Sequence, residues 1–375
     1  MKVAFLGLGK LGLPCAEAIA EKGHLVNGYD IEKRETKKVL QFPTIAGAVD
    51  GCDIVFVAVP TPHDPAYDGR APTAHLEPKD FSYDIVKEVL TEANMHMRKE
   101  QLLVLISTVL PGTTRREFID LVTKPRFVYN PYLIAMGTVA WDMVNPEMVM
   151  IGTEDGTETG DAKELVDFYK TVMENDPRYV IGTWDECECI KVFYNTFIST
   201  KIGLVNMIQD VAQKQGNINV DIVTNALKDS TQRIMGPSYM KAGMGDGGAC
   251  HPRDNIALRY MADKLNLGYD IFDSVMNARE LQAKNMAIEI LKYGNKIQFS
   301  SDSYKPGVEY VDGSYSLLVQ HYVKELGGWI VKENPNVYVI AHEGDEVPAN
   351  VTVFDPWRSY TGPNRYISYG NTRQN

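Results

Sequence analysis

A mixed α/β fold in three parts is predicted by three observations. Short, uninterrupted apolar runs alternate with helical patterns through the first 180 residues. The first run passes into a helix through closely spaced glycines, Gly7-Leu8-Gly9-Lys10-Leu11-Gly12. From Glu186 to about Tyr293 the pattern is helical, and short strands return at Lys296. Apolar strands without polar alternation belong to a parallel sheet covered on both faces.

Taken in order, Lys2 to Leu6 (KVAFL) is a buried strand, followed by a helix over Ala16 to Lys22 and a second strand, Leu25 to Tyr29, ending in Asp30. Further strands are expected at Ile54 to Val59, Leu102 to Ile106, Phe127-Val128 and Val149 to Ile151, with helices over Phe81 to Asn94 and Arg115 to Val122. These make a first domain, 1–180. The second, 181–294, is helical, interrupted by a glycine-rich stretch from Gly236 to Gly248. Asn255 to Tyr293 reads as one or two long helices with a wide apolar stripe. The third, 295–375, is a small α/β unit. Its strands are expected at Lys296 to Phe299, Val337 to Ala341 and Val351 to Phe354, around a helix over Tyr315 to Leu326, with an irregular tail after Ser359.

Hydrophobic residues make up 44% and charged residues 23% of the 375, the proportions of an ordinary globular protein. A net charge of −11 repels phosphate backbones and anionic membranes, so neither nucleic acid nor membrane is an expected partner. Five cysteines without regular spacing do not make a secreted disulfide framework. No apolar run reaches the ~20 residues of a membrane span, and the apolar start runs straight into glycines, unlike a signal peptide. A cytoplasmic protein is expected. No metal is expected either: Cys187 and Cys189 point to opposite sides of a helix, and the seven histidines lack ligand spacing.

The glycine motif has chemistry attached. Gly7 permits a tight turn, Gly9 lets backbone approach a pyrophosphate, and Gly12 allows close helix–strand contact, with Lys10 and Leu11 in the same turn. The helix N-terminus then faces the phosphates. Asp30, at the end of the next strand, accepts hydrogen bonds from a ribose diol and repels a 2′-phosphate, which favours NAD over NADP. The pattern predicts a Rossmann domain.

Two later segments end strands where such sheets bind ligands: Val57-Ala58-Val59-Pro60-Thr61-Pro62 and Ser107-Thr108-Val109-Leu110-Pro111-Gly112. Val59, Pro60, Thr61 and Thr108 are therefore candidate cofactor contacts. Lys191 and Asn195 are four apart and project from one helix face. The stretch Gly245-Asp246-Gly247-Gly248-Ala249-Cys250-His251-Pro252-Arg253-Asp254 places a cysteine in a flexible loop that a ligand can approach closely.

In that order the motifs resemble those of the UDP-glucose/GDP-mannose 6-dehydrogenase family, from residue 1 to about 300. The resemblance implies NAD-dependent oxidation of C6 of a nucleotide-diphospho-sugar from alcohol to carboxylate, two NAD⁺ being reduced, with UDP-glucose the first choice of substrate. It implies that Cys250 adds to the aldehyde and carries a thioester that water hydrolyses. Lys191 would stabilise the oxyanion, Asn195 would hydrogen-bond the same oxygen or a water, Asp254 would act as general base, and Thr108 would hold the water. The substrate contacts it implies are Lys191, Asn195, Tyr132, Arg233, Tyr239, Lys241, Gly245, Gly247, Lys305 and Arg358. It also implies a homodimer built through the helices around 255–293, with Arg233 reaching the neighbouring subunit's substrate.

The likeness breaks in places. Asn130-Pro131-Tyr132-Leu133-Ile134-Ala135-Met136-Gly137 carries Tyr132 and Met136 where the family has glutamates. Asp312 stands where it has an arginine, and Asp246 where an aromatic residue is common. Three alternatives follow: an enzyme that stops before hydrolysis, a nucleotide-sugar or NAD-binding protein without turnover, and a β-hydroxyacid dehydrogenase, against which Cys250 speaks.

Overall fold

The computed structural model describes residues 1–231, 241–245, 248–264 and 270–371, apart from the side chains of Leu204, Met207 and Ala262. Its internal contacts divide it into two units, Met1–His63 with Asp80–Phe193, and Asp64–Lys79 with Tyr194–Asn375.

In the first unit β1 (Lys2–Leu6), β2 (Leu25–Tyr29), β3 (Leu40–Phe42), β4 (Ile54–Val57), β5 (Leu102–Leu105), β6 (Arg126–Tyr129), β7 (Met148–Thr153) and β8 (Arg178–Thr183) form one sheet. Their order is β3-β2-β1-β4-β5-β6-β7-β8. The first six follow the doubly wound order whose direction reverses between β1 and β4, and that reversal opens a crevice beyond the carboxyl ends of the two strands. β4, β5 and, after Lys2, β1 are apolar throughout because both faces are covered. Phe5 stacks on Phe56 at 4.8 Å, inside a core that also buries Phe168 and Tyr169. The expectation of a parallel sheet holds with one exception: β6 and β7 meet antiparallel through Tyr129 and Gly152.

The connecting helices are α1 (Gly12–Glu21), α2 (Ile45–Val49), α3 (Asp84–His96), α4 (Val139–Val144) and α5 (Asp161–Tyr169). The helix expected at Arg115 to Val122 is instead a π turn over Thr114–Phe118 and a 3₁₀ turn over Ile119–Leu121. Phe118 is completely buried there, edge-on to Tyr83 at 5.7 Å.

α6 (Trp184–Gln215) begins in the first unit and ends in the second. The second unit continues with α7 (Val220–Lys228), α8 (Cys250–Lys264), α9 (Ile271–Leu291) and α10 (Tyr315–Glu325). Asp270 caps α9 by accepting from the Asp273 N–H at 3.0 Å, and Ser314 caps α10 by accepting from Leu317 at 3.2 Å. β9 (Lys296–Phe299), β10 (Trp329–Ile330), β11 (Val337–Val339), β12 (Thr352–Asp355) and β13 (Tyr366–Ser368) form a second parallel sheet, ordered β10-β9-β11-β12-β13.

Three expectations need correction. The tail after Ser359 is not wholly irregular, since β13 pairs with β12 over Val353 to Asp355. Cys250 is not a loop residue but the first residue of α8, and His251 follows it into the helix, where its ring contacts the Ser199 hydroxyl. Residues 64–79, which begin two positions after Pro62, pack within the second unit. There Glu280 on α9 accepts from the N–H groups of Thr73 and Ala74 at 2.6 and 2.9 Å, and Arg259 donates to the Ala74 carbonyl at 2.6 Å.

Candidate functional site

The turn after β1 has the form a dinucleotide needs. Gly7 has φ +100°, and a Cβ on it would lie 2.6 Å from the Ala58 carbonyl oxygen. A Cβ on Gly12 would lie 2.0 Å from the Gly7 oxygen. These two glycines are demanded by the protein itself. Gly9 is different: nothing lies within 4 Å of where its Cβ would be, so its open side is free for a ligand. Lys10 is exposed and Leu11 half-buried in the same turn. Asp30 accepts from the Leu8 N–H at 2.7 Å through Oδ2, and from the Glu32 N–H at 2.9 Å and Arg34 Nη2 at 3.2 Å through Oδ1. A carboxylate offers about four acceptor positions, so one remains for a ribose hydroxyl. The residues present fit NAD.

Loops beyond β4 and β5 are stitched together beside this turn. Ser107 donates to the Val59 carbonyl at 2.5 Å, and Thr61 donates to the Thr108 carbonyl at 2.7 Å. Pro60 is exposed, and Val59 and Thr108 are half-buried. The same loop is tied to α6 by a residue that the motifs did not single out. Glu188 is fully buried and accepts from Gly112 N–H at 2.6 Å and Thr114 N–H at 2.7 Å. Burial pushes its carboxyl up to about 7, against the pull of those N–H donors. Lys191, one turn further along α6, is itself only 9% exposed.

That shift gives a stability prediction with a definite sign. Between the ordinary carboxylate range and pH 7 the folded protein holds a proton at Glu188 that the unfolded chain has released. Stability therefore falls as pH rises through that window, by about 3 kcal/mol in all. Urea unfolding at several values from pH 5 to pH 8 should show this fall in the wild type and a flatter profile in Glu188→Gln.

In the second unit Cys250, alone among the five cysteines, is exposed. Gly248 precedes it with φ +84°, and a Cβ there would strike the Tyr304 ring at 2.5 Å. Asp254 is fully buried. Its Oδ2 accepts from Asn195 Nδ2 at 2.5 Å, and its Oδ1 pairs with Arg253 at 2.9 Å. Burial works against the Arg253 charge, but the Asp254 carboxylate outweighs it and the guanidinium pKa rises; Arg253 also interacts electrostatically with Cys250 and Tyr310. Asp312, the residue standing in for the expected arginine, lies 3.8 Å from Arg70.

The expected substrate contacts are differently disposed. Arg358 accounts for its donors internally: Nε meets Asp221 at 3.0 and 3.1 Å, Nη2 donates to the Ala242 carbonyl at 2.7 Å and Nη1 to Tyr369 at 3.1 Å. Lys241 forms an ion pair with Glu343. The Gly245 carbonyl accepts from Asn206 at 2.9 Å. The Lys305 ammonium sits 5.5 Å over the Tyr304 ring. In the first unit the Tyr132 hydroxyl meets that of Tyr169 at 2.9 Å. Tyr132 and Met136 pack against the apolar core, and burial lifts the Tyr132 phenol well above its ordinary value. Arg233, Tyr239, Asp246 and Gly247 fall outside the described residues. Among the described residues no group of three or more His, Cys, Asp or Glu side chains could hold a metal ion, and no helix is long and apolar enough to cross a membrane.

Comparison with known proteins bears on this arrangement. Residues 32–173 match the profile of the UDP-glucose/GDP-mannose dehydrogenase family NAD-binding domain, and residues 185–280 match that of its central domain. The chain is 24% identical over 388 residues to UDP-glucose 6-dehydrogenase YwqF of Bacillus subtilis, covering 94% of this chain and 83% of that protein. It is 24% identical over 353 residues to UDP-glucose 6-dehydrogenase of Rickettsia typhi, covering 85% and 77%. Its fold is similar to that of a UDP-glucose dehydrogenase from Pyrobaculum islandicum, with TM-score 0.78, 21% identity and coverage of 99% and 98%. It is also similar to a UDP-D-ManNAc dehydrogenase from Pyrococcus horikoshii, with TM-score 0.77, 19% identity and full coverage of both chains. With two profiles of one family spanning more than half of its residues, and a strand order built for a dinucleotide, the chain belongs to the UDP-glucose/GDP-mannose dehydrogenase family and uses NAD.

Proposed function

We propose that this nucleotide-sugar dehydrogenase carries C6 of its substrate through both oxidations to the carboxylate, with UDP-glucose as the first candidate and UDP-N-acetylhexosamine or GDP-mannose next. The observation that supports a covalent route is Cys250, the exposed cysteine at the start of α8. NAD⁺ supplies the hydride acceptor, one molecule for each two-electron step. The chain's own residues do the rest. Gly7, Gly9, Lys10, Leu11, Gly12 and Asp30 hold the cofactor, with Val59, Pro60, Thr61 and Thr108 beside it. The Cys250 thiolate adds to the C6 aldehyde, and Lys191 and Asn195 stabilise the oxygen that gains charge. Once the thioester has formed, water attacks its carbonyl carbon, the carbon–sulfur bond breaks and Cys250 leaves as thiolate. Thr108 holds that water and Asp254 takes its proton. The enzyme works as a cytoplasmic homodimer built through helices around 255–293, with Arg233, Tyr239, Lys241, Gly245, Gly247, Lys305 and Arg358 toward the nucleotide and Tyr132 toward the sugar.

A second reading is favoured by what surrounds the hydrolytic groups. Asp254 is ion-paired with Arg253, and Tyr132 and Met136 pack against the core. Slow hydrolysis would stop the reaction at aldehyde or thioester. Counting NADH against sugar consumed separates the two readings. Two NADH per UDP-glucose is the expected result; fewer than two, or a burst of one turnover, selects the arrested enzyme. No NADH with any of the three nucleotide sugars would sink both and leave a binding protein.

A further inference from the structure

We propose that Glu188 is a positioning residue of this dehydrogenase: by holding the Gly112 and Thr114 N–H groups, it fixes the loop that carries Thr108 against the turn of α6 that carries Lys191. The inference deepens the reading above and rests on it for the roles of Thr108 and Lys191. The geometry lies wholly within the first unit. Glu188 has no exposed surface, and its two oxygens take one N–H each, at 2.6 and 2.7 Å. Gly112 has φ +83°, a conformation that few other residues adopt, so the loop reaches the carboxylate through a turn specific to it. At its other end the loop is held by Thr61 and Ser107. Thr108 thus sits between two anchors, and Glu188 supplies the one connected to Lys191.

A buried carboxylate is an unusual choice for a purely mechanical tie, because ionising it away from water is costly. Above about pH 7, where this carboxyl ionises, its bonds to the two backbone N–H groups become charge-assisted, shorter and stronger than neutral ones. A glutamine in its place keeps one acceptor but turns a donor toward the second N–H, so one bond is lost. An aspartate keeps the charge but falls short by one methylene. Misplacing reactive groups by ~1 Å can cost about a hundredfold in rate.

The test uses Glu188→Gln and Glu188→Asp in the full chain, assayed well below their unfolding temperatures. Both variants are expected to lower kcat by about 10- to 100-fold, while KM for NAD⁺ and direct NADH affinity stay within about threefold, since the glycine turn is untouched. Folded variants with wild-type kcat, or a loss confined to KM, would overturn the proposal while leaving the proposed reaction intact. A wild-type enzyme that reduces no NAD⁺ with any nucleotide sugar fails the reaction itself, and the positioning role with it. Should neither variant fold, amide hydrogen exchange on the unaltered protein decides: Gly112 and Thr114 amides protected about a hundredfold beyond free peptide support the tether, and unprotected amides overturn it.

Discussion

Cys250→Ser is expected to lower the rate of acid formation at least about 1000-fold, a loss of roughly 4 kcal/mol of transition-state stabilisation. Serine is close to isosteric, and its hydroxyl suits the start of a helix, so α8 should form as before and thermal stability should hardly change. The sulfur is what is lost. Sulfur is intrinsically the stronger nucleophile, whereas a serine hydroxyl needs a base to reach comparable reactivity. The stoichiometry should therefore drop from two NADH per sugar to at most one, with aldehyde released or held. NAD affinity should stay within about threefold of wild type, because the glycine turn belongs to the other unit. Undiminished acid production by this variant would remove the covalent route and return the chain to ordinary hydride chemistry of the β-hydroxyacid kind.

The dinucleotide half of the molecule was legible because its signals are local. Gly12 answers to the Gly7 oxygen five residues earlier, Gly7 has a positive φ that glycine adopts readily, and strands such as Ile54–Val57 are apolar because both faces are covered. What stayed hidden depends on distant partners. Residues 64–79 pack in the second unit through Glu280, some two hundred positions later, and nothing in their own pattern announces it. β13 is a short, half-exposed strand whose only reason to exist is the edge of β12. The start of α8 was a different failure. Flanking glycines favour a loop, although Pro252, the third residue of α8, is a residue that a helix's first turn tolerates. Glu188 gave no signal at all: a glutamate in a charged stretch between Asp185 and Lys191 reads as solvated, and only the loop folding over it shows otherwise.

The departures from the family pattern also have a physical reading. Tyr132 and Met136 do not leave a gap where carboxylates are expected; they join the apolar core, and Tyr132 extends a chain of hydroxyl contacts through Tyr169 to Asn130. A phenol held that far above its ordinary pKa does not take a proton from water near neutrality. In the proposed reaction, water activation therefore falls to Asp254 and Thr108. This is why counting NADH per sugar tells more about the chain than any further substitution at Tyr132.

The glycines of the first turn offer the sharpest separation of fold from binding. Gly12→Ala should destabilise the first unit by about 3 kcal/mol or more and weaken NAD binding at least about tenfold. Its Cβ would overlap the Gly7 oxygen at 2.0 Å and approach the Gly7 carbonyl carbon at 3.0 Å. Backbone cannot swing aside as a side chain does, so α1 would have to move off the strand, taking with it the N–H groups that face the pyrophosphate. Gly9→Ala meets nothing within 4 Å and should leave unfolding within about 0.5 kcal/mol of wild type. It should still weaken NAD binding, because its methyl would occupy the side where the pyrophosphate must come closest. Urea unfolding and NADH titration of the two variants side by side give four numbers. If Gly9→Ala lost as much stability as Gly12→Ala, or bound NADH as well as wild type, Gly9 would be one more packing glycine and the cradle would have to be sought elsewhere along the crevice.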